Sequence, residues 1–393
     1  MKTQHIVHLS TYPADDIRIF QKACKFEATE GYRVTQIVCD ARDEIVDGVE
    51  IRSLPSAKGR VSRMVGLSWR MYREARRHNA DLYQIHHPDL ILAGLLLKLS
   101  DQKVIYEPHE CYPDKILSMR WIPAWMRPVV SPLFAFYERF TSALWDHVIV
   151  ADRYSAKGFS GRPVSVVPNY PLLIPVERNR IKNNKRKLIY VGGLSEERGL
   201  LVMLKIAELL RDHNVELELM GEFAFPEDER LILALANVRY LGNQSLRAVY
   251  QRLVEADLGL LLLQPVPAYT YAGENTLKLF EYMWCGLPVV SSDFPNLRRI
   301  IESAQCGVCI DPRDAERAAA AILRLLAEPE LRQKMETNGR NAILSAYNWP
   351  AASRVLSQIY QNVLSGKRSA VEPLPLWSVE PVDAALCSTG VVA

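Results

Sequence analysis

GENTLKLFEYMWCGLPVV, residues 273–290, changes character twice. It opens with loop chemistry at Gly273 and Asn275 and then turns helical, with Leu277, Phe280, Met283 and Trp284 at helical spacing. It breaks at Gly286 and Pro288 before an apolar strand. Asn275 or Thr276 is the expected N-cap. The amides of Leu277 and Lys278 then lack partners at the positive end of the helix dipole, which suits a phosphate. Lys278 adds a cation there. Glu281, one turn on, offers a carboxylate to sugar hydroxyls. A phosphate beside vicinal hydroxyls describes a nucleotide-sugar. Spacing alone favours a solvated Lys278–Glu281 ion pair.

Outward from this stretch, short apolar runs alternate with helical patterns. HIVHLS (5–10), RVTQIVC (33–39), VEIRSLP (49–55), DLYQIHHPD (81–89) and KVIYEPHE (103–110) read as strands. A helix over 18–31, closed by Gly31, and another over 90–99 lie between them. HVIVADRYSA (147–156) and PVSVVPNYP (163–171) close a first domain, taken as 1–175. The polar stretch 176–187 reads as a linker. The rhythm restarts over 188–348 with KLIYVGGLSEERG (187–199), VELELMGE (215–222), VRYLGN (238–243) and ADLGLLLLQP (256–265). A helix at about 349–365 follows, and the proline-bearing 366–393 reads as a disordered tail. Such β-α alternation predicts parallel sheets with helices on both faces. Ligands of such sheets bind beyond the carboxyl ends of the strands. Gly192 and Gly193 there permit close backbone approach, and Arg198 is within reach as a bidentate phosphate donor.

A chain of 393 residues calls for about two domains. A net charge of +3 gives no argument for nucleic acid. The seven cysteines are scattered, which fits a reducing cytoplasm, and Cys306-Gly307-Val308-Cys309 has no second pair to complete a metal site. No signal peptide is expected ahead of IVHL, and no apolar run approaches the ~18 residues needed to span a bilayer. Residues 57–78 carry seven basic side chains and one acid. Residues 119–140 place Trp121 and Trp125 beside Arg120 and Arg127. Both segments suit an anionic membrane surface, or else core helices with a solvated basic face.

KLFEYMWCGLPVVSSD resembles the donor-binding signature of family 4 retaining glycosyltransferases (glycosyl transferases group 1). These have the GT-B fold, in which two Rossmann-like parallel-sheet domains face across a cleft. IYEPHECYP, D-x-R-I-F (16–20), VVPN and the final helix resemble the same family. Its two signature glutamates stand eight positions apart. Glu281 matches the second, Gly273 stands at the first, and Glu274 is one residue out of register. Its Gly-rich turn carries two basic residues. Arg198 matches the second, and Gly193 occupies the first.

The resemblance implies a metal-independent transferase that moves a sugar with retention from a nucleoside diphosphate sugar to a hydroxyl. The acceptor would be lipid-linked or a glycan in cell-surface polysaccharide or glycolipid synthesis, at the inner face of the plasma membrane. His109, Arg198, Lys278 and Glu281 would be catalytic. Gly192, Gly193, Glu222, Gly242, Glu274, Asn275, Thr276 and Leu277 would hold the donor, and Asp16, Arg18 and His86 would line the cleft. Neither cofactor nor metal is expected, because no D-x-D follows a strand. The competing readings are a non-catalytic nucleotide-sugar-binding scaffold and another GT-B enzyme, such as an epimerase or phosphorylase.

Overall fold

The computed structural model describes residues 3–59, 62–176, 185–232, 235–367, 369–372 and 374. They form two compact units. One comprises the chain up to Asn169 together with Trp349–Leu374, and the other comprises Tyr170–Asn348.

The first unit is built on eight strands: β1 (His5–Leu9), β2 (Arg33–Cys39), β3 (Glu44–Val46), β4 (Val49–Leu54), β5 (Leu82–Ile85), β6 (Val104–Tyr106), β7 (His147–Val150) and β8 (Val164–Val166). Their order is β3-β4-β2-β1-β5-β6-β7-β8, parallel except for β3. Helices cover both faces, so β1 and β5 are buried at every position, including the polar His5, His8 and Gln84. Asp16 opens the helical segment Ile17–Cys24, a π-helix that continues as the α-helix Lys25–Thr29. The order reverses between β1 and β5, which makes their carboxyl ends the switch point.

The second unit has β9 (Arg186–Val191), β10 (Val215–Met220), β11 (Val238–Tyr240), β12 (Leu258–Leu261), β13 (Val289–Ser292) and β14 (Gly307–Ile310). All are parallel, in the order β11-β10-β9-β12-β13-β14. Its switch point lies between β9 and β12. The core on one face gathers Leu188, Tyr190, Leu217, Leu219, Leu258 and Leu260 against helices Leu200–Leu209 and Ala315–Ala327.

Four expectations change. The unit boundary falls at Asn169/Tyr170, ahead of residue 175. The last two residues of the expected linker open β9, because Arg186 and Lys187 are anchored by Asp257; residues 177–184 lie outside the described ones. The expected tail is ordered at its start. Val371 is buried and its amide donates to Ser165 Oγ at 2.7 Å, and the Leu374 carbonyl accepts from Arg153. Residues 375–393 lie outside the described ones. Strand β3 was not anticipated, although Asp47-Gly48, both at positive φ, is a two-residue hairpin signal. Among the described residues, no helix is long and apolar enough to cross a membrane.

Candidate active site

In the second unit, chemistry gathers at the ends of β9 and β12. The turn after β9 is glycine-bound on both sides. A Cβ on Gly221, at φ +135°, would lie 2.1 Å from the Gly192 carbonyl oxygen, so those two turns touch backbone to backbone. Two cations converge over the Gly192–Gly193 backbone. Lys278 Nζ lies 2.7 Å from where a Gly192 Cβ would be, and an Arg198 Nη atom lies 2.8 Å from the Gly193 equivalent. Lys278 donates to the Tyr190 hydroxyl at 2.8 Å and sits over that ring at 4.3 Å. Arg198 donates from Nε to the Tyr269 hydroxyl at 3.0 Å, and Ser195 caps the turn that carries it. Burial, then the neighbouring Arg198 charge, hold Lys278 well below the usual amine range, with Glu281 opposing them. An anion placed between the two cations would relieve their repulsion.

The helix Leu277–Trp284 begins at Thr276, with no side chain capping it. The Leu277 amide is not free as expected, since it donates to the Asn275 carbonyl at 3.1 Å. Asn275 Oδ1 is engaged by its own loop, accepting from the Gly273 amide at 3.1 Å. The solvated-pair reading fails. Lys278 turns to Tyr190, while Glu281 is only 6% exposed and, after burial, is the main influence raising the Tyr250 hydroxyl. Glu274 is also buried. Glu222 is exposed and accepts from Asn243 at 3.0 Å, and the Gly242 carbonyl accepts from the Gly221 amide at 2.9 Å.

In the first unit, the ends of β1, β5 and β6 hold a buried histidine cluster. His8 Nε2 is 2.6 Å from Glu27 Oε2, and His8 Nδ1 is 2.8 Å from His86 Nε2. His86 Nδ1 is 3.2 Å from both His109 Nε2 and Glu107 Oε2. Arg18 clasps Glu107 Oε1 with Nε and Nη2, at 2.9 and 2.7 Å. The Tyr360 hydroxyl, on the final helix Trp349–Leu364, lies 2.6 Å from Glu27 Oε1 and 2.7 Å from Gln84 Oε1. Burial opposes charge on Glu107, but Arg18 overrides it and holds the carboxyl well below its usual range. Burial takes His86 and His109 down to about 4. Burial would lower His8 as well, yet Cys24 and Glu27 together hold it well above the usual range. Burial keeps the Cys24 thiol protonated, so Glu27 supplies the charge.

Of the residues expected to line the cleft, Arg18 and His86 are buried; His86 faces His109, and Arg18 is bound to Glu107. Asp16 caps the π-helix, accepting from the amides of Arg18 and Ile19. His109 is half-buried and stacked on Tyr12 at 4.9 Å. Tyr12, Asp15, Asp40, Arg63 and His87 line a neighbouring pocket of about 680 Å³. Sequence reading missed His8, Glu27, Glu107 and Tyr360. For His8 the available signal was a polar side chain inside a strand covered on both faces, and for Glu107 its place just after β6; Glu27 and Tyr360 lie on helices and gave no such signal.

His86, Glu107 and His109 bring three ligand atoms within 4.8 Å of one another, the spacing of a metal site. Their donor chemistry is already committed. Arg18 takes Glu107 Oε1, Gln84 and His86 take Oε2, and a charged His8 faces His86. A cation there would meet two positive charges, so the three fit a hydrogen-bond network and not a metal. The cysteines Cys306 and Cys309 are buried or half-buried, with burial pushing both thiols up to about 12.

The family model for Glycosyltransferase Family 4 matches residues 23–170, and that for Glycosyl transferases group 1 matches 176–342. The glycogen synthase of Mycobacterium tuberculosis is 26% identical over 211 residues, which is 51% of this chain and 49% of that protein. The chain thus spans about half the length of the curated relatives it matches. Sucrose-phosphate synthase from Thermosynechococcus elongatus superposes with a TM-score of 0.76 at 17% identity, over 93% of this chain and 100% of that one. Anabaena HepE, solved in complex with UDP and glucose, gives 0.68 at 14% identity, over 91% and 100%. Two parallel-sheet units of the GT-B type, with both family models falling on them in order, place the chain among the family 4, group 1 glycosyltransferases.

Proposed function

We propose that the protein transfers a sugar from a nucleoside diphosphate sugar to an acceptor hydroxyl with retention. The observation that carries this reading is the convergence of Lys278 and Arg198 over the Gly192–Gly193 turn at the switch point of the second sheet. A diphosphate would bring negative charge to both of them. A fold relative solved with UDP and glucose supports the same class of donor. In the step proposed, the bond from the anomeric carbon to the phosphate oxygen breaks and its electron pair leaves with the diphosphate. The acceptor oxygen bonds that carbon on the same face and gives its proton to the departing phosphate. Arg198 and Lys278 stabilise the charge that develops there, an electrostatic role that requires no metal. Glu281 and Glu274 would hold sugar hydroxyls.

The acceptor side falls to the first unit, where the pocket beside Tyr12 offers carboxylates and Arg63 to hydroxyl groups. A lipid-linked acceptor at an anionic membrane accounts for the helix Arg127–Thr141. It buries the polar Ser131, Glu138 and Thr141 and exposes Val129, Leu133, Phe136 and Phe140 in one stripe. Trp121 and Trp125 precede it, also exposed, and Arg120, Arg127 and Arg139 supply positive charge.

The test is a turnover assay across nucleotide-sugars in excess EDTA, with calorimetry of the matching diphosphate. Turnover should persist without divalent metal. Arg198→Ala and Lys278→Ala should each weaken diphosphate binding by ~10-fold or more, in line with ~1.5–3 kcal/mol for a charged hydrogen bond. Unchanged binding in both variants would move the phosphates elsewhere.

A further inference from the structure

The protons of the histidine cluster are set by the atoms that can only accept. Glu27 and Glu107 stand at its two ends, and an ionised carboxylate never donates. Glu107 Oε2 faces His86 Nδ1 at 3.2 Å, so His86 carries its proton on Nδ1. His86 Nε2 is then a bare acceptor 2.8 Å from His8 Nδ1, and His8 donates to it. His8 Nε2 also donates, to Glu27 Oε2 at 2.6 Å. His8 is therefore a buried imidazolium, and the cluster balances Glu27 and Glu107 against His8 and Arg18. The His86 Nδ1–H also faces His109 Nε2 at 3.2 Å. Two N–H groups cannot face each other, so that His109 nitrogen is bare. We propose that Glu107, acting through His86, fixes His109 as a neutral ring protonated on Nδ1, so that His109 serves the transfer as a hydrogen-bond donor and not as a base.

Glu107 and His86 are then positioning residues. The ligand that His109 recognises is an oxygen acceptor, a hydroxyl or phosphate oxygen of substrate; that part rests on the reading given under Proposed function. Among the described residues, only His86 hydrogen-bonds the His109 ring, which leaves the Nδ1 edge for substrate. The groups facing His109 are Tyr12, Asp16 and Arg18 from the segment after β1, His86 from the end of β5, and Glu107 from its own segment. His8 is faced by Cys24, Glu27 and His86. Arg18 and Glu107 cancel closely enough that burial governs, and both His86 and His109 stay neutral down to about pH 4.

Ring-¹⁵N-histidine labelling of the full chain, without substrate, tests this directly, with His109→Asn and His8→Gln providing the assignments. At pH 7.5, His109 should show a protonated Nδ1 and a bare Nε2, and His8 two protonated nitrogens, with neither changing between about pH 6 and pH 8. Glu27→Gln should take one proton from His8 and leave His109 protonated on Nδ1. A wild-type His109 protonated on Nε2, or one titrating in that range, overturns the proposal. Turnover gives a second readout. The amide of His109→Asn stands where Nδ1–H stood and should keep activity within about 10-fold, whereas His109→Asp should lose the ~100-fold or more typical of a displaced catalytic group. Equal loss in both variants also overturns it. If no nucleotide-sugar is turned over at all, the spectrum still decides the tautomer, and the failure falls on the function alone.

Discussion

At the scale of single residues, Gly273 explains why the first signature glutamate is missing. A Cβ there would lie 2.6 Å from the Asn296 Cβ, on the helix Pro295–Ala304. That helix takes the space a side chain would need, and the carboxylate appears one residue later, buried, as Glu274. Gly273→Ala should therefore destabilise the protein by ~1–3 kcal/mol, the usual cost of overpacking. Asn296→Gly should remove most of that penalty. A double-mutant cycle by denaturant unfolding checks this, and additive effects would show that the clash relaxes by another route. The register shift was legible in the sequence, but its cause was not, because Gly273 and Asn296 meet only in three dimensions. The same limit hid the histidine cluster. His109 follows a strand and stands out, whereas Glu27 and Tyr360 acquire meaning only once the fold brings them together.

At the scale of elements, parallel strands were the most legible feature, because burial on both faces leaves continuous apolar runs. Helix 127–141 was less so. Its segment reads as basic and aromatic in sequence, yet which face is buried depends on Tyr106 and Pro113, to which Glu138 and Ser131 are bonded. The basic segment 57–78 proves mixed: Met71 and Ala75 enter the core, and Arg63 pairs with Asp89 at 2.7 Å. Membrane binding is therefore better tested on the later helix. Leu133→Asp with Phe136→Asp, at positions 63% and 70% exposed, should leave the melting temperature unchanged. The double change should lower binding to anionic liposomes by on the order of 100-fold, since each buried side chain contributes ~1.5–3 kcal/mol. Co-sedimentation at low and high salt measures it. If wild type ignores such liposomes and self-associates through this stripe instead, the acceptor reading moves to a soluble glycan.

At the scale of the whole molecule, the two units differ most in how they answer acid. Of the eight histidines, seven belong to the first unit and only His213 to the second. Burial takes His5, His86, His109 and His147 from 6.5 down to about 4. Between these values the unfolded chain binds more protons, so stability is present above about pH 6.5 and is lost as pH falls toward 4. Glu138, which burial raises to about 7, works the other way, favouring the fold as pH falls from 7 to 4.5. Four rings outweigh one acid. At about 1.4 kcal/mol per pK unit, the first unit should lose on the order of 3 kcal/mol or more by pH 4.5. Calorimetry should show its transition separating from that of the second unit on acidification. A single transition at every pH would refute this.

The discontinuity of the first unit has a consequence in time. Glu27 and Gln84 emerge from the ribosome well before Tyr360, which contacts both. The described residues of the intervening second unit, Tyr170–Asn348, are all made before Tyr360. At ~5–20 residues per second, the chain spends several seconds to tens of seconds with its opening sheet built but its closing helix unsynthesised. The first unit is thus begun before the second and completed after it. During that interval Glu27 lacks its tyrosine, and the first sheet must be kept from finding other partners until the last helix arrives.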